Sequence, residues 1–158
     1  MKITAIETCT VSAGWKNWLL LRLHTDSGLH GIGEGTLNGF IRTTETAVQE
    51  LGHLAIGQDP RQVNRLSKRL MDSVSLDGGH IHRTAVAAIE VACWDILGKS
   101  LGVPIHQLLG GRVRDEWSTA FPLLAKDYAL ALQDENHVRA AAGQPPLPFD
   151  ETLTEALK

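Results

Sequence analysis

Leu23-His24-Thr25-Asp26-Ser27-Gly28-Leu29-His30-Gly31-Ile32-Gly33-Glu34 is the stretch that decides the fold. It begins at the end of an apolar run, Trp18 to His24, that reads as a strand. Thr25-Asp26-Ser27-Gly28 supplies turn chemistry, with a glycine free to take positive φ. Leu29 to Glu34 then reads as a short further strand, so a tight turn joins two antiparallel partners. N-terminal to this hairpin, Ile3, Ala5, Glu7, Cys9 and Val11 share one parity. Thr4, Thr8, Thr10 and Ser12 share the other, which is period-two alternation. Three strands with short connections predict an antiparallel meander.

C-terminal to the hairpin the period becomes helical. Ala47, Leu51, Leu54 and Ala55 form one stripe, with Thr43 or Thr44 as the expected N-cap and Gly57 as the stop. Asp59-Pro60 is expected to open a second helix, with Val63, Leu66, Leu70 and Met71 as its buried side. Asp77-Gly78-Gly79 breaks the pattern, and the longest helix is expected from about Arg83 to Leu101. Val86, Ile89, Cys93, Ile96 and Leu97 form its apolar side, and Ala85, Ala88 and Ala92 permit close packing. Gly102 ends it, Pro104 opens a short helix through Leu109, and Gly110-Gly111 punctuates again. The predicted fold class is α+β: a three-stranded antiparallel β-meander followed by an antiparallel helical cluster. Beyond Arg114-Asp115, Trp117 to Leu124 reads as a strand, Lys126 to Ala142 as helix-compatible, and Gly143 to Pro148 as a Pro-rich linker. The expected organisation is a domain over 1–116, a barrel start or divergent helical segment over 117–142, and a poorly ordered tail over 143–158.

Composition narrows the function classes. The chain has 158 residues, 43% of them hydrophobic, and a formal charge of −3. That balance gives no electrostatic footprint for nucleic acid, and the four tryptophans are scattered and do not form a base-stacking row. No apolar run approaches the ~18–20 residues of a membrane span. No signal-peptide pattern leads the sequence, and Cys9 and Cys93 form no CxxC pair. These features predict a soluble, reduced, cytoplasmic protein without nucleic-acid or membrane partners. A (β/α)8 barrel needs at least ~200 residues and does not fit in this length.

Three motifs invite chemistry and fall short of it. Gly31-Ile32-Gly33-Glu34-Gly35 has GxGxG spacing, not GxGxxG, and no helix follows directly to meet a phosphate. It reads instead as a strand end where backbone passes closely. His80 and His82 form an HxH pair without a third well-spaced ligand, and are expected in a loop before the long helix. Glu90 and Asp95, five apart on a helix, face different ways and make a poor acid–base pair; salt bridges or capping contacts are expected of them.

The order of these marks resembles a known family. Leu23 to Glu34 is similar to the second and third strands of the enolase superfamily's N-terminal capping domain, as is Ile56-Gly57-Gln58-Asp59-Pro60. Ala85 to Lys99, continuing through Gly102-Val103-Pro104 and Leu108 to Asp115, resembles the mandelate racemase/muconate lactonizing enzyme group. Gly33-Glu34-Gly35-Thr36-Leu37-Asn38-Gly39 looks most like its acid-sugar dehydratases, of mannonate and galactonate type. The resemblance implies a division of labour. A C-terminal barrel carries acidic Mg²⁺ ligands and acid–base groups, a proton is taken α to a carboxylate, and a β-hydroxyl leaves. The N-terminal domain closes over the barrel mouth and meets the distal end of the substrate. It implies loops at Ala13–Lys16 and Gly35–Phe40 that cover the mouth. Asn38 would donate to and accept from sugar hydroxyls, Lys16 would meet a carboxylate, and Trp15 would stack on a sugar ring. Asn38 also reads as a plain turn residue before Gly39, since Asn tolerates left-handed backbone. No residue of this chain matches the family's catalytic or metal-ligand strands. The chain alone is therefore expected to be without a cofactor of its own and without catalytic competence. Its partner is an acid sugar in the full-length family. The alternatives are a non-catalytic remnant or an interaction module whose uncovered barrel-facing surface binds a barrel partner or a second copy. A dinucleotide enzyme is the third and weakest reading.

Overall fold

The computed structural model describes residues 1–12, 16–74 and 78–114, with isolated positions beyond. Trp15 and the elements expected over 117–158 lie outside the described residues. The chain divides into two units, Met1–Arg112 and Val113–Lys158, and every strand and helix named below lies in the first.

The sheet has the order β1 (Ile3–Ser12), β2 (Asn17–Thr25), β3 (His30–Glu34), antiparallel throughout. β2 is central, and its alternation sets the core. Leu19, Leu21 and Leu23 are buried on one face, while Leu20 and Arg22 are exposed on the other. β1 contains the surprise. A register irregularity between Ile3 and Ala5 shifts the parity of everything after it. Ile3 is buried, but Ala5, Glu7, Cys9 and Val11 are exposed, and Ile6 and Thr8 are the residues that become partly covered. The apolar parity of this strand thus faces outward over most of its length.

α1 (Ile41–Ala55), α2 (Val63–Asp72), α3 (Gly79–Leu101) and the short α4 (Ile105–Leu108) follow. α3 is the spine, with Ala85, Val86, Ala88, Ile89, Ala92, Cys93 and Ile96 buried. Its small residues let β3 come close. A Cβ on Gly31 would stand 2.0 Å from the Ala92 carbonyl oxygen, and one on Gly33 2.1 Å from that of Ala88. The glycine-rich strand end is therefore a helix–strand contact surface, as its spacing predicts, and no phosphate loop.

Several local expectations need correction. α1 starts at Ile41 behind Phe40, which offers no side-chain cap. Thr44 is a buried interior residue whose Oγ1 donates to the Phe40 carbonyl at 2.9 Å, so neither Thr43 nor Thr44 is the N-cap. Val48 and Gly52 join the buried stripe of that helix. Asp59 caps a turn and not a helix: its Oδ1 accepts from the Arg61 amide at 3.0 Å, and α2 begins later, behind Gln62. Met71 is exposed, while Val63, Leu66 and Leu70 are buried. α3 begins at Gly79, four residues before the expected start, so His80 and His82 lie on the helix and not in a loop. Two residues apart on a helix, they diverge. His80 is exposed, whereas His82 is buried and its Nε2 donates to the Leu70 carbonyl at 3.0 Å. That bond ties the first turn of α3 to the end of α2 and leaves no HxH ligand pair.

Candidate functional site

Two chain segments meet at one end of the sheet. β2 enters there from Lys16 and Asn17, and β3 leaves there through Gly35 to Phe40. Between them lies an open cleft of about 480 Å³, lined by Lys16, Asn17 and Asn38 to Thr43. Its volume is in the range of small-molecule sites. The wall is held locally. The Leu19 amide donates to Thr36 Oγ1 at 3.1 Å, and the Gly35 amide to the Leu19 carbonyl at 2.9 Å, which anchors the loop to β2. Phe40 N donates to the Leu37 carbonyl at 3.0 Å, closing a turn whose third residue is Gly39 with φ of 79°. That is the position where a type II turn requires positive φ.

Of the three residues predicted for the site, two line this cleft. Asn38 occupies the second position of the turn, is exposed and lines the cleft. The left-handed residue is Gly39 and not Asn38, since no non-glycine among the described residues has positive φ. Lys16 sets its ammonium 4.0 Å from the centroid of the Trp18 ring, a cation–π contact that steadies its long stem. Trp15 falls outside the described residues. The cleft adds Asn17, Phe40, Arg42 and Thr43, which the sequence reading did not single out. Placing the helix start at Thr43 or Thr44 hides Arg42; a start at Ile41 puts it in the first turn of α1, at the cleft. A second cleft of about 370 Å³ adjoins, lined by Thr10, Asn17, Ile41, Arg42 and Glu45.

The described ionised side chains that line the first cleft are cationic. Lys16 and Arg42 are its ionised lining residues, and Asn17, Asn38 and Thr43 add neutral donors and acceptors. Glu45, on the adjoining cleft, accepts from Thr8 Oγ1 at 2.8 Å. The arrangement can bind an anionic, hydroxyl-bearing molecule. Among its described lining residues there is no carboxylate, histidine or cysteine to act as a general base or an activated nucleophile. Nor does it fit Mg²⁺, which wants several oxygen ligands around one point. Among the described residues no three His, Cys, Asp or Glu side chains converge into such a group. Asp95 and Glu90 are structural. The Asp95 carboxylate accepts from the Ile32 amide at 2.9 Å and pairs with Lys99 at 2.7 Å, and Glu90 accepts from the Ser67 hydroxyl.

The described architecture is a meander on a helical cluster, with a polar cleft at a loop end. The chain belongs to the mandelate racemase / muconate lactonizing enzyme N-terminal domain family, whose model matches residues 2–110. Its relatives include a D-galactonate dehydratase of Variovorax paradoxus, 46% identical over 115 residues, which cover 73% of this chain and 29% of that protein. A D-galactonate dehydratase of Ralstonia nicotianae is 44% identical over 119 residues, 75% of this chain and 30% of that one. The chain thus spans under a third of the length of these curated relatives. Among solved structures it is similar to an enolase of Agrobacterium radiobacter, described as a putative galactarate dehydratase with bound sodium and L-malate. The TM-score is 0.69 at 30% identity, over 73% of this chain and 29% of that one. A Pantoea ananatis enolase with bound D-gluconate and magnesium gives a TM-score of 0.68 at 30% identity, over 72% of this chain and 28% of that one. Among the described residues no helix is long and apolar enough to cross a membrane.

Proposed function

We propose that this chain is the substrate-capping domain of a Mg²⁺-dependent acid-sugar dehydratase, and that it carries no catalytic group of its own. The observation that carries the reading is the cleft in which Lys16, Asn38 and Arg42 meet at one end of the sheet. When a barrel of the family's kind is present, Mg²⁺ there supplies stabilisation of the charge that develops on the substrate carboxylate. The residues of this chain bind and orient. Asn38 donates to and accepts from hydroxyls at the distal end of the sugar acid. Lys16 meets negative charge, and Trp15 is assigned to stack on the sugar. Closure of the two loops excludes water from the mouth. Galactonate and gluconate, bound or turned over by relatives, are the substrate class this implies.

The test uses a full-length relative with the same loop. Asn38→Ala there should lower dehydratase kcat/KM by roughly 5- to 150-fold, the 1–3 kcal/mol of one lost polar contact, with thermal stability unchanged. Unchanged kinetics together with reduced stability would make Asn38 a turn residue only. A second reading, an interaction module, is favoured by the exposure of Leu101 and Leu109 at the end of the family-matched segment.

A further inference from the structure

The two edges of the sheet are finished differently. The Leu19 amide and carbonyl point to the β3 side, bonding Thr36 and Gly35. By strand alternation, Trp18, Leu20, Arg22 and His24 therefore bond towards β1, to Val11, Cys9, Glu7 and Ala5. The remaining β1 groups, those of Ile6, Thr8 and Thr10, point away from the sheet. Ile3 also points away, but it is satisfied: its amide donates to Gln58 O at 2.9 Å, and its carbonyl accepts from the Gly57 amide at 2.8 Å. For Ile6, Thr8 and Thr10 no backbone bond on that side exists among the described residues. The opposite edge is blocked. Asp95 takes the outward Ile32 amide, and Lys99 Nζ donates to the His30 carbonyl at 2.8 Å. A helix-borne ion pair covering a strand edge is a standard guard against edge pairing, as are Lys and Pro on the strand itself. β1 has none of these past its first residues. Its ten residues include one charge, Glu7, and no proline.

We infer that the β1 edge pairs antiparallel with the β1 edge of a second copy of this chain, joining two three-stranded sheets into one of six. Self-complementarity selects this occupant and its register. A two-fold axis through Thr8 pairs Thr8 with Thr8 and Ile6 with Thr10, so all three open residues of both copies exchange hydrogen bonds. It sets Glu7 opposite Cys9 and Ala5 opposite Val11. Moving the centre to Glu7 would place the only two charges face to face, which is destabilising. Moving it to Cys9 would set Ile6 against Ser12, which already has a partner. Hydrogen-bonding complementarity above the strand agrees. Thr8 Oγ1 donates to Glu45 and accepts from Gln49 at 3.2 Å. The axis runs this row antiparallel to its copy, carboxylate beside carboxamide. Main-chain pairing supplies the affinity, as in other strand-addition contacts.

Sedimentation velocity on the whole chain, from micromolar to near-millimolar concentration, should show a monomer–dimer equilibrium. Thr10→Pro deletes an outward amide without touching the β2 ladder, and should weaken the dimer at least about tenfold with circular dichroism unchanged. Glu7→Cys tests the register without relying on that variant. Mild oxidation should link the introduced thiol to Cys9 of the second copy as a covalent dimer. The wild-type chain, whose two Cys9 residues stand on a diagonal about 7–8 Å apart, should stay unlinked. A monomer at all concentrations overturns the inference. So does a dimer that is indifferent to Thr10→Pro, or a covalent dimer formed equally by wild type.

Discussion

Gly33 has room for a hydrogen and nothing larger. The atom in its way is the backbone oxygen of Ala88, which no rotamer change can remove. Gly33→Ala must push β3 off α3, and should cost about 3 kcal/mol, read as a fall in the denaturation midpoint. A change of only a few tenths would mean that strand and helix are not in this contact. Asp59 offers a different kind of test. Hydrogen bonds from the Arg61 side chain are the main cause that holds its carboxyl at about 2, below the usual 3.8. Its carboxylate accepts from the Arg61 guanidinium at 2.7 Å. A folded-state pKa below the unfolded one gives stability that is present above pH ~4 and lost as pH falls towards 2. The pair is part-exposed, so the loss is about 1 kcal/mol. Asp59→Asn should flatten that part of the pH–stability curve, and an unaltered slope would assign the acid transition elsewhere.

At the scale of elements, legibility followed local chemistry. The meander was readable because Thr25-Asp26-Ser27-Gly28 allows little but a turn, and because the Ala85 to Ile96 stripe has helical spacing. The parity of β1 was not readable: one irregular step near Thr4 inverts every later side chain, and no residue type announces it. The start of α1 was missed because Phe40 is not a capping residue, and with it Arg42, so half of the cleft's charge went unread. Lys16 and Asn38 were singled out through the loops they occupy, and both line the cleft, since loop position survives small boundary errors. The two cysteines test the element assignment. Cys93 lies in the buried stripe of α3, and burial, aided by Glu90, pushes its thiol up to about 12. Cys9 is exposed on β1. A thiol reagent at pH 8 should modify one cysteine in the folded chain and the second only on unfolding. Rapid modification of both would mean that α3 is not packed as described.

The whole molecule is a binding surface built on a small core. Its helices hold β3 and its loop end in place, and that end carries two cationic side chains, Lys16 and Arg42, and two carboxamides, Asn17 and Asn38. In the capping role proposed above, this end contributes specificity to a reaction performed by groups of the barrel. The most direct measurement is made on a chimera. Residues 2–114 of this chain replace the matching segment of the Variovorax paradoxus D-galactonate dehydratase, and dehydration of a panel of sugar acids is followed. A folded chimera that dehydrates one of them, and loses activity when Lys16 and Arg42 are both changed to Gln, is the predicted result. A chimera that folds and assembles but dehydrates none, or one whose activity ignores both substitutions, would contradict the capping role.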